Sequence, residues 1–553
     1  MRRLVLVCAV ALSLPAAAGA APLQELPYAE RATVACLAPT GVPGGLSIVG
    51  AYSRRDVTTD LLTAGPEGAA RAGGVSVGRL YACATVAESP GGTAVVAGGV
   101  EPSVEGEDFA IHAAVRDPGG TFGAPVALGR GDPAPAVAVG PAGHTVVAWV
   151  EHSRRREAIV AVRRAPGEAF GPPETVLAWP SRGFFALVDL QAGVDAAGRV
   201  TLLWSRDVPV SDQTRVEAAS AAHGAPFAVE RLTTHIELSA DPVLAVAPDG
   251  WALAAHGNWG RHRAAIFERA PGAARFTRVA LRPPRYSDQP VVAIRDGGGA
   301  LFGWRRETPE KIEVATREQG GAFGAPRVVA RGWSINEIVA FEPFTRRSRL
   351  LLPPVALDEP RLQAALAPDG RALLAWSGAA GPSLLWTGSA HAVLGSLGGA
   401  FEPARRVGGA LRDADAVAPL FLPDGRAAVA WTDRAGRADG RLHLAVERAP
   451  ALDKDPIRLR VRAPRFQPLP RGESPRVTAV CSGPCDLRAS ISVLYGDGFA
   501  RSVTNPTGGA MRLHLGPVRD IRRPRWVTVR VAAGPPGGRA TAIRVVRLRL
   551  VRR

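Results

Sequence analysis

The chain has 553 residues, 46% apolar and 21% charged, with a formal net charge of +17. A core of domain size is therefore available and wholesale disorder is excluded. Its 62 Gly and 48 Pro bring turns at a density that excludes a mainly helical fold. Only two of its 67 basic residues are lysines, Lys311 and Lys454, a skew that GC-rich coding produces without any selection for function, so the total charge by itself identifies no partner.

The chain opens on Met1-Arg2-Arg3, then an apolar run over 4–14, then small residues ending in Ala18-Gly19-Ala20. This order of basic, apolar and small residues predicts a secretory signal peptide over 1–20. The mature chain then starts near Ala21, has no transmembrane segment, and is secreted or held at a bacterial cell envelope. Export permits disulfides. With Cys8 removed, four cysteines remain: Cys36, Cys83, Cys481 and Cys485.

From about residue 30 a unit recurs. An alternating apolar strand leads into a Pro-Asp-Gly-like turn, and a second apolar strand places Trp six residues after the Gly. The copies are AVAVGPAGHTVVAWVE (Gly143, Trp149), QAGVDAAGRVTLLWSR (Gly198, Trp204), VVAIRDGGGALFGWRR (Gly298, Trp304), LQAALAPDGRALLAWS (Gly370, Trp376) and APLFLPDGRAAVAWTD (Gly425, Trp431). A sixth copy keeps Gly250 but has His256 at the Trp position. Two earlier copies keep Gly45 and Gly92 and have Ala51 and Gly98 there. The glycines are 47, 51, 55, 52, 48, 72 and 55 residues apart, and the long interval predicts an insertion within 331–355. A Phe trails most copies ahead of another strand: Phe122, Phe170, Phe227, Phe276, Phe323 and Phe401. Each module thus reads as four short strands. One such sheet cannot bury both of its faces, whereas copies stacked radially bury them against one another. The expectation is an all-β chain: a β-propeller of eight, alternatively seven, four-stranded blades over 21–452, with the Trp packed between blades.

The Pro-Asp-Gly turn followed by a strand ending in Trp resembles the TolB-type propeller repeats of secreted bacterial proteins, over roughly residues 30–450. The resemblance implies architecture and is silent on chemistry. Cys36 and Cys83 each lie nine residues before their marker glycine, at equivalent places in the first two modules. They are expected to bridge those blades. Cys481 and Cys485 are expected to clip a turn.

Residues 453–553 leave the repeat. Strand-like runs separated by Pro- and Gly-containing turns predict an immunoglobulin-like β-sandwich. From 455 onward there are twenty Arg and five acidic residues, so nearly all of the net +17 resides there. Arg519, Arg522, Arg523 and Arg525 are the densest group and the candidate contacts for a polyanion. In an exported protein that means an anionic envelope polymer or a protein partner, and no nucleic acid is expected.

Motifs for chemistry are sparse. His256, Trp259, His262 and Arg263 gather where the repeat loses its Trp. They are the candidate ligand-binding set, of a kind that suits carbohydrate. Glu105, Glu107 and Asp108 form an acidic run that could supply paired carboxylates. Arg130-Gly131-Asp132 spells an adhesion tripeptide that chance explains in so Arg- and Gly-rich a chain. No catalytic residue, metal ligand or cofactor motif stands out. The expected function is a monomeric, exported, non-enzymatic propeller for binding or scaffolding at the envelope, its basic C-terminal module contacting anionic polymer. The alternative is a glycan-active hydrolase or lyase with its site on one propeller face.

Overall fold

The computed structural model describes residues 23–552 apart from 27–33, 41, 53–55, 66–67, 78–83, 101–107, 154–155, 181–188, 209–212, 234–235, 238–241, 258–262, 286, 307–310, 332, 335–361, 381–388, 408–413, 434–440, 448–458, 464–465, 470–475, 482–484, 494–495, 506–508, 515–524 and 535–541. Among the described residues every element is a β-strand except one short 3-10 turn at Asp296–Gly298. The chain divides into two compact units, Met1–Glu447 and Arg448–Arg553.

The sheet that holds Trp149 shows how the repeat folds. Its strands Ala136–Val139, Thr145–His152, Arg156–Arg164 and Glu174–Pro180 pair in that order, all antiparallel. The first hairpin closes where the N–H groups of Gly140 and Gly143 donate to the carbonyls of His144 and Gly140, each at 2.8 Å, and Gly143 has φ 89°. A short loop whose last residue is left-handed turns two strands compactly, and glycine takes that conformation without steric cost. The same closure recurs at Gly92, Gly198, Gly250, Gly370 and Gly425. In the Pro-Asp-Gly copies the carboxylates of Asp249, Asp369 and Asp424 accept the N–H two residues on, at 3.2, 3.0 and 3.0 Å, which holds the turn before the strands pair.

Period-two alternation then decides which face each side chain takes. Val147 and Trp149 pack with Val95 and Ala97 of the preceding sheet, while Val146 and Ala148 pack with Leu202 and Trp204 of the following one. Trp304 joins Leu253 and Ala255, Trp376 joins Leu301 and Val314, and Trp431 joins Leu373 and Ala375 in the same way. None of the five repeated indoles is more than 6% exposed. The last of these sheets packs on the first, through Ala428, Ala430 and Leu444 against Leu37, Leu62 and Ala64. The N-terminal strand Leu23–Leu26 completes that last sheet by pairing with Arg441–Glu447. Four-stranded antiparallel sheets stacked in sequence order and returning on themselves make a β-propeller arrangement. The trailing Phe residues lie at the outer hairpins, where guanidinium groups cover the rings, as Arg269 does Phe276 and Arg317 does Phe323, 5.2 and 5.0 Å from the centroids.

The second unit holds two sheets. One comprises Leu459–Arg462, Arg476–Cys481 and Gly509–His514; the other comprises Phe466–Leu469, Ala542–Arg552, Arg525–Gly534, Cys485–Val493 and Gly496–Asn505. In the second, Phe466–Leu469 pairs parallel to the long final strand and the other pairs are antiparallel. Leu459, Val477, Ala479, Leu487, Leu513 and Val531 are buried. Cys36 lies in the strand Val34–Pro39. Cys83 and most of the expected insertion fall outside the described residues.

Candidate functional site

In each propeller sheet the second strand ends, and the third begins, at the edge away from the marker glycines. Among the described residues Glu157, Glu217, His256, Asp288, Arg305, Glu313 and His391 are buried there, while Arg164, Asp195, Arg269 and Arg317 are buried at the glycine edge. Several face a Trp directly across the strand pair. Glu217 accepts from the Trp204 indole N–H at 3.2 Å and Glu313 from that of Trp304 at 3.1 Å. His391 and His443 stack on Trp376 and Trp431, with centroids 5.8 and 5.2 Å apart.

The richest constellation centres on His152, the last residue of its strand. Its Nε2 is 2.7 Å from Oδ1 of Asp132, which enters from the link between one sheet's outer strand and the next sheet's inner strand. Its Nδ1 is 4.0 Å from Oε1 of Glu157, the residue directly opposite it. Glu157 is buried and accepts from the Trp179 indole N–H at 2.8 Å. Burial pulls the His152 pKa down, but the Asp132 hydrogen bond and the charges of Asp132, Glu157 and Asp108 outweigh it, and the net shift is upward. The Trp179 ring in turn carries the Arg206 guanidinium 5.1 Å from its centroid, and Arg206 forms a two-pronged pair with Glu217 at 2.7 and 3.2 Å. Acid, imidazole, acid, indole, guanidinium and acid thus run continuously across two sheets. The Asp132 side chain is 42% exposed while the His152 side chain is 9% exposed, so a nearly buried imidazole is joined to solvent through a carboxylate. That arrangement can hold a proton and release it at an accessible atom.

The residues singled out from sequence are placed differently. His256 is buried, its Nδ1 is 3.0 Å from the carbonyl of Gly257 and its ring stacks on Phe267. Burial lowers its pKa to about 4, so it is neutral at ordinary pH. Arg263 is exposed and donates to the carbonyl of Pro283 at 3.0 Å, while Trp259 and His262 lie outside the described residues. Of the acidic run, Glu105 and Glu107 fall outside them, and Asp108 acts on His152. Arg519, Arg522 and Arg523 also fall outside, and Arg525 begins the strand Arg525–Gly534. Asp132, which ends the Arg130-Gly131-Asp132 tripeptide, is instead part of this constellation, and its sequence signal is an acid in the link between two repeats. Among the described residues no group of three or more His, Cys, Asp or Glu is arranged to hold a metal, and no helix is long and apolar enough to cross a membrane.

No family model and no curated protein matches the chain. Solved structures do. A PL25 ulvan lyase is 10% identical with a TM-score of 0.38, covering 64% of this chain and 93% of its own. The polysaccharide lyase Uly1 is 8% identical with a TM-score of 0.38, covering 73% and 88%. The Hadza microbial sialidase Hz136 is 10% identical with a TM-score of 0.32, covering 57% and 71%. Likeness of this degree carries no residue role to this chain. The expectation of a non-enzymatic scaffold is corrected at this point: the solved structures found include polysaccharide lyases and sialidases. The ionisable groups sit on strand ends and in links between sheets, and they meet both across strand pairs and from one sheet to the next.

Proposed function

We propose that this protein is a glycan-active enzyme, a hydrolase or lyase, with its site on the propeller edge where second strands end. The observation that carries the reading is the Asp132–His152–Glu157 chain, in which an imidazole of raised pKa is held at 2.7 Å by a half-exposed carboxylate. His152 supplies the proton to the departing sugar oxygen, and Asp132 orients the ring and stabilises its charged form. The Glu157 carboxylate, held by Trp179, lies 4.0 Å from the other ring nitrogen and favours the charged ring. Activity that needs the protonated ring falls as pH rises past the raised pKa.

The wider reading goes with it. The propeller has eight blades, the last completed by the N-terminal strand, and residues 453–553 form an immunoglobulin-like sandwich. Cys36–Cys83 and Cys481–Cys485 are the disulfides; Cys481 is buried and disulfide-bonded. The chain is exported, and its basic C-terminal unit favours an acidic glycan over a neutral one.

The test is turnover of a panel of acidic and neutral polysaccharides by the full-length protein, read as new reducing ends and as the absorbance of an unsaturated product. His152→Gln is expected to lower the rate by roughly a hundredfold or more while the fold melts as before. A panel without product, or an active His152→Gln enzyme, refutes the proposal.

A further inference from the structure

The opposite edge, where the marker glycines turn, carries a repeated device that one cleft lacks. Arg116, Arg269 and Arg317 each lie opposite the second residue after a marker glycine. They cover the trailing Phe of their own sheet, Phe122, Phe276 and Phe323, at 5.6, 5.2 and 5.0 Å from the ring centroids. The Trp204 sheet has Ala221 at that place, and its Phe227 is covered from the preceding sheet instead. Arg163, opposite Val146, stands 5.1 Å from the Phe227 centroid. Its guanidinium grips Glu174 of the adjoining strand at 2.9 and 2.8 Å and donates to the Ala222 carbonyl at 3.0 Å. Cation, carboxylate and ring thus come together in the cleft between two sheets.

Between the Trp304 and Trp376 sheets both covers are gone. Gly395, opposite Ala372, takes the place of the own-sheet Arg, and the Phe401 ring lies so close on it that a Cβ there has no room. Thr316, opposite Leu301, takes the place of Arg163, and Arg327, opposite Val314, takes the place of Glu174. Among the described residues no guanidinium covers Phe401. A cavity of about 290 Å³ results, lined by Thr316, Glu318, Arg327 and Phe401 with glycine backbone around them. Glu318 and Arg327 are exposed, and Thr316 and Phe401 are half-buried, so all four can meet a ligand from solvent. Arg327 donates from one nitrogen to the Gly399 carbonyl at 2.6 Å, and the Glu318 carboxylate rests against Gly398. Among the described residues neither is ion-paired. Arg317 also lines the cleft, but its charge is taken by Glu268. The pair that closes the Phe227 cleft is therefore reduced here to a guanidinium without its carboxylate, beside a ring without its cover.

We infer that this cleft binds one uronate unit of an acidic glycan, on the edge away from His152. The uronate carboxylate takes the N–H groups that Arg327 leaves unused, as Glu174 takes those of Arg163. The C–H face of the sugar ring lies on Phe401, where the other clefts set a guanidinium. Thr316 donates to or accepts from a ring hydroxyl, and Glu318 accepts from another. The volume is at the small end of ligand cavities, about 300 Å³, which suits a single ring. The inference deepens the proposed function and rests on it for the choice of a sugar over another flat acid. Binding is measured without turnover, so the two fail separately: a protein that binds and does not cleave sinks the activity alone, and one that cleaves without using the cleft sinks the cleft alone.

The experiment titrates full-length protein with tetragalacturonate, with its methyl ester and with benzoate. The ester keeps rings and hydroxyls and removes the charge; benzoate is a flat acid without hydroxyls. Thr316→Arg rebuilds the guanidinium cover of the Phe227 cleft and adds a positive charge, and Arg327→Gln removes the partner of the carboxylate at an exposed position. The expected result is binding of tetragalacturonate in preference to both other probes, weakened at least about tenfold by each substitution. General attraction of a polyanion to a basic protein predicts the opposite for Thr316→Arg, which would bind more tightly. Both variants are expected to melt with the wild type; should Thr316→Arg melt lower, Arg327→Gln decides the matter alone. Tetragalacturonate binding that Arg327→Gln leaves intact or that Thr316→Arg strengthens, an ester or benzoate bound as well as the acid tetramer, or no binding of any probe overturns the inference.

Discussion

Acid is expected to weaken this protein through His256 more than through an ordinary histidine. The imidazole fills the place that Trp takes in other repeats, buried against Phe267, with one nitrogen committed to the Gly257 carbonyl. Burial holds its pKa at about 4 against an ordinary 6.5; the Gly257 carbonyl opposes that shift and Arg278 adds to it. The folded state therefore keeps the ring neutral in a range where the unfolded chain protonates it. Its contribution to stability is complete above 6.5 and is lost as pH falls towards 4. The gap, at about 1.4 kcal/mol per pH unit, amounts to about 3 kcal/mol. Urea unfolding of the full-length protein, followed by tryptophan fluorescence at pH 7 and pH 4, measures the loss. His256→Gln keeps a donor for the Gly257 carbonyl and cannot titrate. The quantity of interest is how much more stability the wild type loses than the variant between the two pH values. A wild type that loses no more than His256→Gln would show that the ring is hydrated or already charged, and the argument from burial would fall.

Two further outcomes are expected. Trp304→Ala, which empties the space of a fully buried indole between two sheets and leaves the Glu313 carboxylate without that donor, should cost about 3–5 kcal/mol in chemical denaturation; a cost below about 1 kcal/mol would mean the sheets do not rely on the indole. Gln289→Gly should raise stability by about 1–2 kcal/mol, since glycine tolerates the positive φ and carries no unpaired amide; a lower melting temperature would mean the side chain is already satisfied.

Legibility in the sequence followed the range of the interaction. The marker glycines and the Asp of the Pro-Asp-Gly turns act within a few residues, so Gly250 and Asp249 announced their turn directly. The Trp lies at a constant distance from that turn along one strand, and strand alternation alone assigns its face. The partner of each Trp was hidden, because it lies across a connection of variable length: Glu217 is 13 residues from Trp204, but Glu313 is 9 from Trp304. Asp132 and His152 were harder still, since one belongs to a link between sheets and the other to a strand end.

The amino-acid sequence alone determined the repeating strand pattern, the turn chemistry and the concentration of charge in the last hundred residues, all of which depend on neighbours along the chain. Only the tertiary structure decided which groups share a site. Closing the sheets on one another brings Asp132, from the link between two sheets, to His152, and packing leaves the strained Gln289 amide buried without a partner. Burial and the approach of groups from separate strands set the charge of an imidazole and leave an amide unpaired, and neither is a property of residues taken in order.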